Sequence, residues 1–121
     1  MSHSPQDVHK KVLGKKGETL AAEFFKKRGC KLLHKNYRTP FGEADLIFED
    51  EDEIVFVEVK TRASEKFGTA REAVTRSKQA RYRKIAQFYG LGEGEELNVR
   101  FDVIEVDGEG KIEYYKNAYS T

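Results

Sequence analysis

Tryptophan is absent from this sequence, cysteine and methionine occur once each, and proline occurs twice in 121 residues. A lone thiol, Cys30, excludes an internal disulfide framework and any zinc site built on cysteine pairs. No apolar run is longer than Ile54-Val55-Phe56-Val57, far short of the roughly 20 residues that a membrane-crossing helix needs. The polar start Met1-Ser2-His3-Ser4 lacks the apolar stretch of a secretory signal, so a cytoplasmic protein that avoids membranes is expected. His3, His9 and His34 are scattered without metal-ligand spacing and read as surface residues. Repeats, low-complexity tracts and Pro/Gly/Ser linkers are missing too. What remains is a chain of the commonest single-domain size, expected to fold around one core over residues 1–121, with residues 1–12 able to form a flexible N-terminal extension. Hydrophobic residues at 38% and charged ones at 36% make it polar, yet 12% aromatics argue against disorder.

The near absence of net charge, +1, conceals a strong pattern. Residues 1–38 carry ten Lys/Arg against three Asp/Glu, residues 39–60 one against eight, residues 61–90 eight against two, and residues 91–121 three against eight. If folding gathers the basic blocks, they suit an anionic partner; otherwise they are solvated helix surface.

Periodicity predicts a helix over residues 4–28, with Ser4-Pro5 at its start, Gly29 as its stop and Leu13, Leu20, Ala21, Phe24 and Phe25 as its buried stripe. Gly14 and Gly17 weaken its middle, so ordered helix can begin nearer Lys15. Strands are expected over 30–38, 43–48, 54–60, 98–106 and 111–116, with the acidic run Glu49–Glu53 as a solvated hairpin tip. A second helix is expected over 69–89, capped by Thr69 with Glu72 and stopped at Gly90, its apolar face made of Ala70, Ala73, Val74, Ala80, Ile85 and Phe88. The order α-β-β-β-α-β-β puts a helical crossover between the third and fourth strands, hence a parallel pair in a mixed sheet.

Strand alternation isolates the chemistry. Ile54, Phe56, Glu58 and Lys60 share one face of the third strand, and Val55, Val57 and Val59 the other. If Glu51-Asp52 is the hairpin tip, Asp45 lies across from Glu58 and Glu43 across from Lys60; a slip of one residue would send Asp45 to the opposite side. Two acids facing each other repel unless a positive charge joins them, and a hard cation with oxygen ligands, Mg²⁺ or Mn²⁺, meets that need. The ammonium of Lys60 would stand beside a water able to attack a phosphodiester. The plain alternative is a pair of exposed cross-strand salt bridges from Glu43 or Glu58 to Lys60.

Gly17-Glu18, Gly42-Glu43-Ala44-Asp45-Leu46-Ile47, Phe56-Val57-Glu58-Val59-Lys60-Thr61-Arg62, Phe67-Gly68, Lys78-Gln79 and Arg100-Phe101-Asp102-Val103 together resemble the YraN-like family of small bacterial proteins. The resemblance covers roughly residues 12–119. That family is similar to the PD-(D/E)xK nuclease superfamily, above all its archaeal-type Holliday junction resolvases. The resemblance implies a restriction-endonuclease-like α/β fold, a mixed central sheet flanked by helices. It also implies a metal-dependent endonuclease acting on DNA, structure-specific and in branched or recombination intermediates, with homodimers as in resolvases. Carried over by motif, Asp45, Glu58 and Glu18 are metal ligands and Lys60 completes the catalytic set. Glu43 and Gln79 carry over as supporting or substrate contacts. From charge placement, independent of the resemblance, Arg62, Lys78, Arg76 and Lys15 are expected to track nucleic-acid phosphates around the site. The superfamily's proline is replaced by Ala44. On the residues alone, Glu18 is equally a helix-surface acid beside Lys15. Tyr82 and Tyr89 are stacking candidates or packing residues. Asp102 is expected to pair with Arg100, and Cys30 to be a small buried hydrophobe. Two rival functions stay open: a nucleic-acid-binding module of the same fold that does not cut, and a protein-interaction domain whose charge blocks meet a complementary partner.

Overall fold

The computed structural model describes residues 5–62, 74–93 and 97–121, with the side chains of 5–14 and 93 left aside. Helix α1 (Pro5–Lys27) leads into strands β1 (Lys31–Thr39), β2 (Gly42–Asp50) and β3 (Glu53–Arg62), then helix α2 (Arg76–Glu93) and strands β4 (Asn98–Asp107) and β5 (Ile112–Tyr119). The five strands form one sheet in sequence order. Every neighbouring pair is antiparallel except β3 and β4, which the α2 crossover makes parallel. The mixed sheet with a helix on each face follows the expected order. Among the described residues no helix is long and apolar enough to cross a membrane.

Each face has its own core. On one, Ala21, Ala22 and Phe25 of α1 pack with Cys30 onto Leu46, Phe48, Val55, Val57 and Ile104. On the other, Tyr82, Ile85, Ala86 and Tyr89 of α2 pack onto Ile47, Phe56 and Phe101. Both cores follow from period-2 strands meeting period-3.6 helices. Helix α1 ends where expected: Gly29, at φ 86°, allows Cys30 N–H to bond the Phe25 carbonyl and Gly29 N–H that of Lys26, a Schellman stop.

Helix α2 departs from expectation at both ends. The expected start at Thr69 with Glu72, together with Ala70 and Ala73, lies outside the described residues. Thr75 caps the helix instead, its Oγ1 accepting from Lys78 N–H at 3.3 Å and its carbonyl from Gln79 N–H at 2.9 Å. At the far end the helix runs through Gly90 to Glu93. A glycine ends a helix by entering the left-handed region, and Gly90 is not among the positive-φ residues. The apolar face is also rotated from the one expected. Val74 and Ile85 are buried, but Ala80 is exposed and Phe88 is 37% exposed, while Tyr82 and Tyr89 fill the core. Burial of their rings removes both tyrosines as stacking platforms.

The acidic tip is likewise only partly solvated. Glu51, at φ 55°, and Asp52 make the turn, while Asp50 and Glu53 bind the buried Arg100 at 2.9 and 3.0 Å. Arg100 also forks onto Asp102 with Nε and Nη2, the expected pairing. Asp102 accepts further from Tyr114 Oη at 2.6 Å and from Asn117 N–H at 2.9 Å. Asn117 supplies that N–H from the β5 irregularity where the β4 ladder shifts register.

Gly17 sets how closely α1 approaches the sheet. A Cβ there would run into Cγ2 of Thr61. Gly17→Ala is therefore expected to lower stability by about 1–2 kcal/mol, because overpacking outweighs the helix-propensity gain of about 1 kcal/mol. Urea midpoints should show the loss, and Thr61→Ser, which deletes the obstructing methyl, should recover most of it.

Candidate functional site

The β2–β3 register is the one that brings two acids together. Leu46 pairs with Val57, Ile47 with Phe56 and Asp50 with Glu53, and the next pair in that series is Asp45 with Glu58. There the ladder with β3 ends and the ladder with β1 is interrupted. Pairing with β1 passes from Leu46–Lys35 to Ala44–Tyr37 without Asp45, and Asn36, which would face it, is at φ 50°. Asp45 satisfies its backbone by other means: its N–H donates to Tyr82 Oη at 3.3 Å, and its Oδ2 accepts from Val59 N–H at 2.8 Å. The strand turns at this residue, since Ala44 packs with Ile47 on the α2 face rather than with Leu46.

Glu58 is the most enclosed acid of the site, 7% exposed. Lys78 Nζ lies 2.8 Å from Oε1 and Tyr82 Oη 2.6 Å from Oε2. The salt bridge anticipated for Glu58 thus forms with α2 and not with Lys60. Lys78 and Tyr82 are one helical turn apart, so one ridge of α2 delivers an ammonium and a phenol to one carboxylate. Sequence reasoning assigned Lys78 to phosphates and passed over Tyr82 as a partner of Glu58. Its legible signal was a hydroxylated aromatic four residues after a lysine on an otherwise basic helix.

The electrostatics match this crowding. Burial, then the charge of Glu58, pushes the Asp45 carboxyl up to about 8, with the Val59 N–H pulling the other way and a hydrogen bond to Glu58 reinforcing the rise. The Asp45 carboxyl thus resists ionisation beside the enclosed Glu58. Tyr82 is held well above the usual phenol range by burial and then by Asp45 and Glu58, so it stays a hydrogen-bond donor. Glu18 reaches the same end of β2 from α1. Its carboxyl is raised by burial and then by Glu43, opposed by a hydrogen bond from Asn36 and the charge of Lys35, and its own charge adds to the rise at Asp45.

The remaining sequence-derived residues separate into three groups. Lys60 lies two residues beyond Glu58 on the same face, half-buried beside Glu105 of β4, with no ion-pair partner among the described residues. Glu43 flanks the site, paired at 3.4 Å with the exposed Arg38. Arg62, in contrast, turns to the buried Glu105 at 3.6 Å, and Gln79 Nε2 bonds the Val74 carbonyl at 3.3 Å. Both hold the fold together. Arg76 and Lys15 are exposed on their helices.

Among the described residues no three His, Cys, Asp or Glu side chains gather into a ready-made metal cage. Mg²⁺ seldom needs one, since it is usually held by one or two carboxylates, retained waters and substrate phosphate. The facing carboxyls of Asp45 and Glu58 fit that cation by charge and by donor type. A cleft of about 580 Å³ opens at the other end of the sheet, between α2 and the start of β4, and contains none of these acids.

The family described as "Uncharacterised protein family UPF0102" matches residues 17–106, a span that includes the acids and lysines of this site. A UPF0102 protein of Thermodesulfovibrio yellowstonii is 46% identical over 107 residues, 88% of this chain and 95% of its own. One from Alkaliphilus oremlandii is 47% identical over 115 residues, 90% and 98% of the two chains. One from Vibrio parahaemolyticus is 42% identical over 115 residues, 92% and 94%.

Proposed function

The chain belongs to the uncharacterised protein family UPF0102, and on that premise we propose that it is a metal-dependent phosphodiesterase that cuts DNA. The feature that carries this reading is the β2–β3 register, which sets Asp45 opposite Glu58 where the ladder stops, with Lys60 two residues further along the same face. Asp45 and Glu58 would hold Mg²⁺ or Mn²⁺, with Glu18 behind them. When bound, the cation supplies positive charge where the phosphate becomes more negative and makes a nearby water more acidic.

The protein's own groups have distinct tasks. Val59 N–H and Tyr82 Oη fix the two carboxyls from behind, so they meet the cation without rearranging. Lys60 orients the attacking water and steadies the scissile phosphate. Lys78, which neutralises Glu58 in the structure, gives up that bond and faces the phosphate instead. Exposed cations on α2 and α1 guide the strand, an electrostatic role that carries no base specificity.

The test is cleavage of labelled single-stranded, duplex, flapped and four-way-junction DNA with Mn²⁺, beside Lys60→Ala. Cutting by the wild type and a loss of about a hundredfold or more in the variant is the expected result. The structure favoured as substrate would name the class. One observation favours a second reading. Lys78 and Tyr82 already satisfy both oxygens of Glu58, as would suit a protein that binds nucleic acid without cutting it. Salt-dependent DNA binding with no cleavage under any divalent metal would select that reading.

A further inference from the structure

Two phenylalanine rings lie together at the surface, between the β1–β2 turn and α2. Phe41, in the β1–β2 turn, is 46% exposed and Phe88 of α2 is 37% exposed. Their rings meet edge to face at 6.4 Å. A single exposed apolar residue is ordinary, but these two touch each other and continue into Leu91, which is 82% exposed. Arg81, Lys84, Phe88 and Leu91 follow one another at helical spacing along a flank of α2. Cations border the rings. Lys84 Nζ lies 5.9 Å from the centroid of Phe41, and the Arg81 side chain lies over Gly42, where a Cβ would meet its Cδ at 2.6 Å. Arg38, exposed, stands two residues before the turn, and its neighbour Glu43 is already its partner.

The stripe is continuous with the site. Arg81 lies one turn beyond Lys78, which holds Glu58, and Phe88 follows Lys78 by ten residues, about 15 Å along a helix. Aromatic faces alternating with exposed cations are the chemistry of single-strand binding: rings stack on bases of any identity while ammonium and guanidinium groups follow the phosphates. An apolar patch shaped for a protein partner is depleted of lysine at its centre, and here a lysine lies over one of the two rings.

We propose that Phe41 and Phe88, with Arg81 and Lys84, form a stacking platform for unpaired bases that leads a single strand of nucleic acid into the Asp45–Glu58 site. This rests on the nucleic-acid reading above and narrows it to substrates with unpaired nucleotides next to the cleavage point.

The experiment separates the two claims by measuring binding without catalysis. Fluorescence anisotropy of a labelled oligothymidylate and of a blunt duplex of equal length is recorded in EDTA. The wild type, Phe41→Ala/Phe88→Ala and Lys84→Ala are compared, and circular dichroism melts verify that each variant folds. The expected result is tighter binding of the single strand than of the duplex and a loss of about tenfold or more in the double phenylalanine variant. In Lys84→Ala, the slope of affinity against salt should fall by about one. Equal single-strand affinity in wild type and double variant overturns the proposal, as does preference for duplex or no binding at all. A third overturning result is a wild-type dimer in sedimentation that the double variant turns into monomer with DNA affinity unchanged, which would make the patch a self-association surface. Phenylalanine-dependent binding without cleavage in Mn²⁺ would reject the phosphodiesterase and leave the platform standing.

Discussion

Asp45→Asn is expected to raise the melting temperature at about pH 9 while abolishing metal-dependent cleavage. In the folded protein the Asp45 carboxyl is pushed up to about 8 from an ordinary value of 3.8, first by burial and then by Glu58. Its raised value determines the sign. Below about pH 4 both folded and unfolded chains hold the proton. From there to about pH 8 the unfolded chain releases it while the folded chain keeps it, so stability falls as pH rises. Above about pH 8 the folded protein carries two facing carboxylates. Asn keeps an acceptor for the Val59 N–H and removes the charge. Its gain is absent near pH 4 and grows to the order of 2 kcal/mol at high pH, after allowance for solvent screening of a partly exposed group. That corresponds to about 5–10 °C in a chain of this size. Thermal melts of both proteins across this pH range are the check. A gain that does not depend on pH would mean that the two carboxyls are not coupled. Cleavage should drop by about a thousandfold or more, since the amide supplies no charge to a cation. Stability gained where function is lost is the mark of an acid kept for chemistry.

The largest loss of stability is expected at the opposite end of the sheet. Arg100 is 4% exposed and is the cation shared by Asp102, Asp50 and Glu53. Arg100→Ala leaves Asp102, itself 1% exposed, charged and short of two donors. Breaking a buried ion pair from one side costs about 3–5 kcal/mol, a large fraction of the 5–15 kcal/mol typical of a domain. The urea midpoint should fall steeply. Arg100→Met/Asp102→Asn should cost less than the sum of the single changes, because no buried charge is then left at position 102, while Asp50 and Glu53, both more exposed, still lose their cation. The amide of that double variant offers a single acceptor oxygen where Tyr114 and the Asn117 N–H now use two, so the recovery is incomplete. Additive costs would indicate that the two residues are not one network.

Local patterning carried the element order a long way. Alternation through Ile54–Lys60, with the tip assumed at Glu51-Asp52, led to the facing of Asp45 and Glu58, because a strand's period is two and the position of the turn sets the register. The start of α2 was harder to read: Thr75 caps it, and the chosen cap depends on where the helix docks. Phe88 shows the same limit. As an apolar residue on an amphipathic helix it read as core, but Tyr82, Ile85 and Tyr89 took the buried face and left it on the flank.

Composition and periodicity alone therefore pointed to an α/β chain, a mixed sheet and a pair of acids aimed at each other across a hairpin. They did so because hydrophobic period and turn length are properties of neighbouring residues. The partners of those acids were decided by tertiary structure: Lys78 and Tyr82 on Glu58, Arg62 on Glu105, Arg100 between Asp50 and Glu53, and Phe41 against Phe88. Each joins residues far apart in the chain, and which charge meets which acid depends on how the elements are rotated and stacked against one another. That arrangement is set by the packing of whole surfaces, and no segment carries it locally.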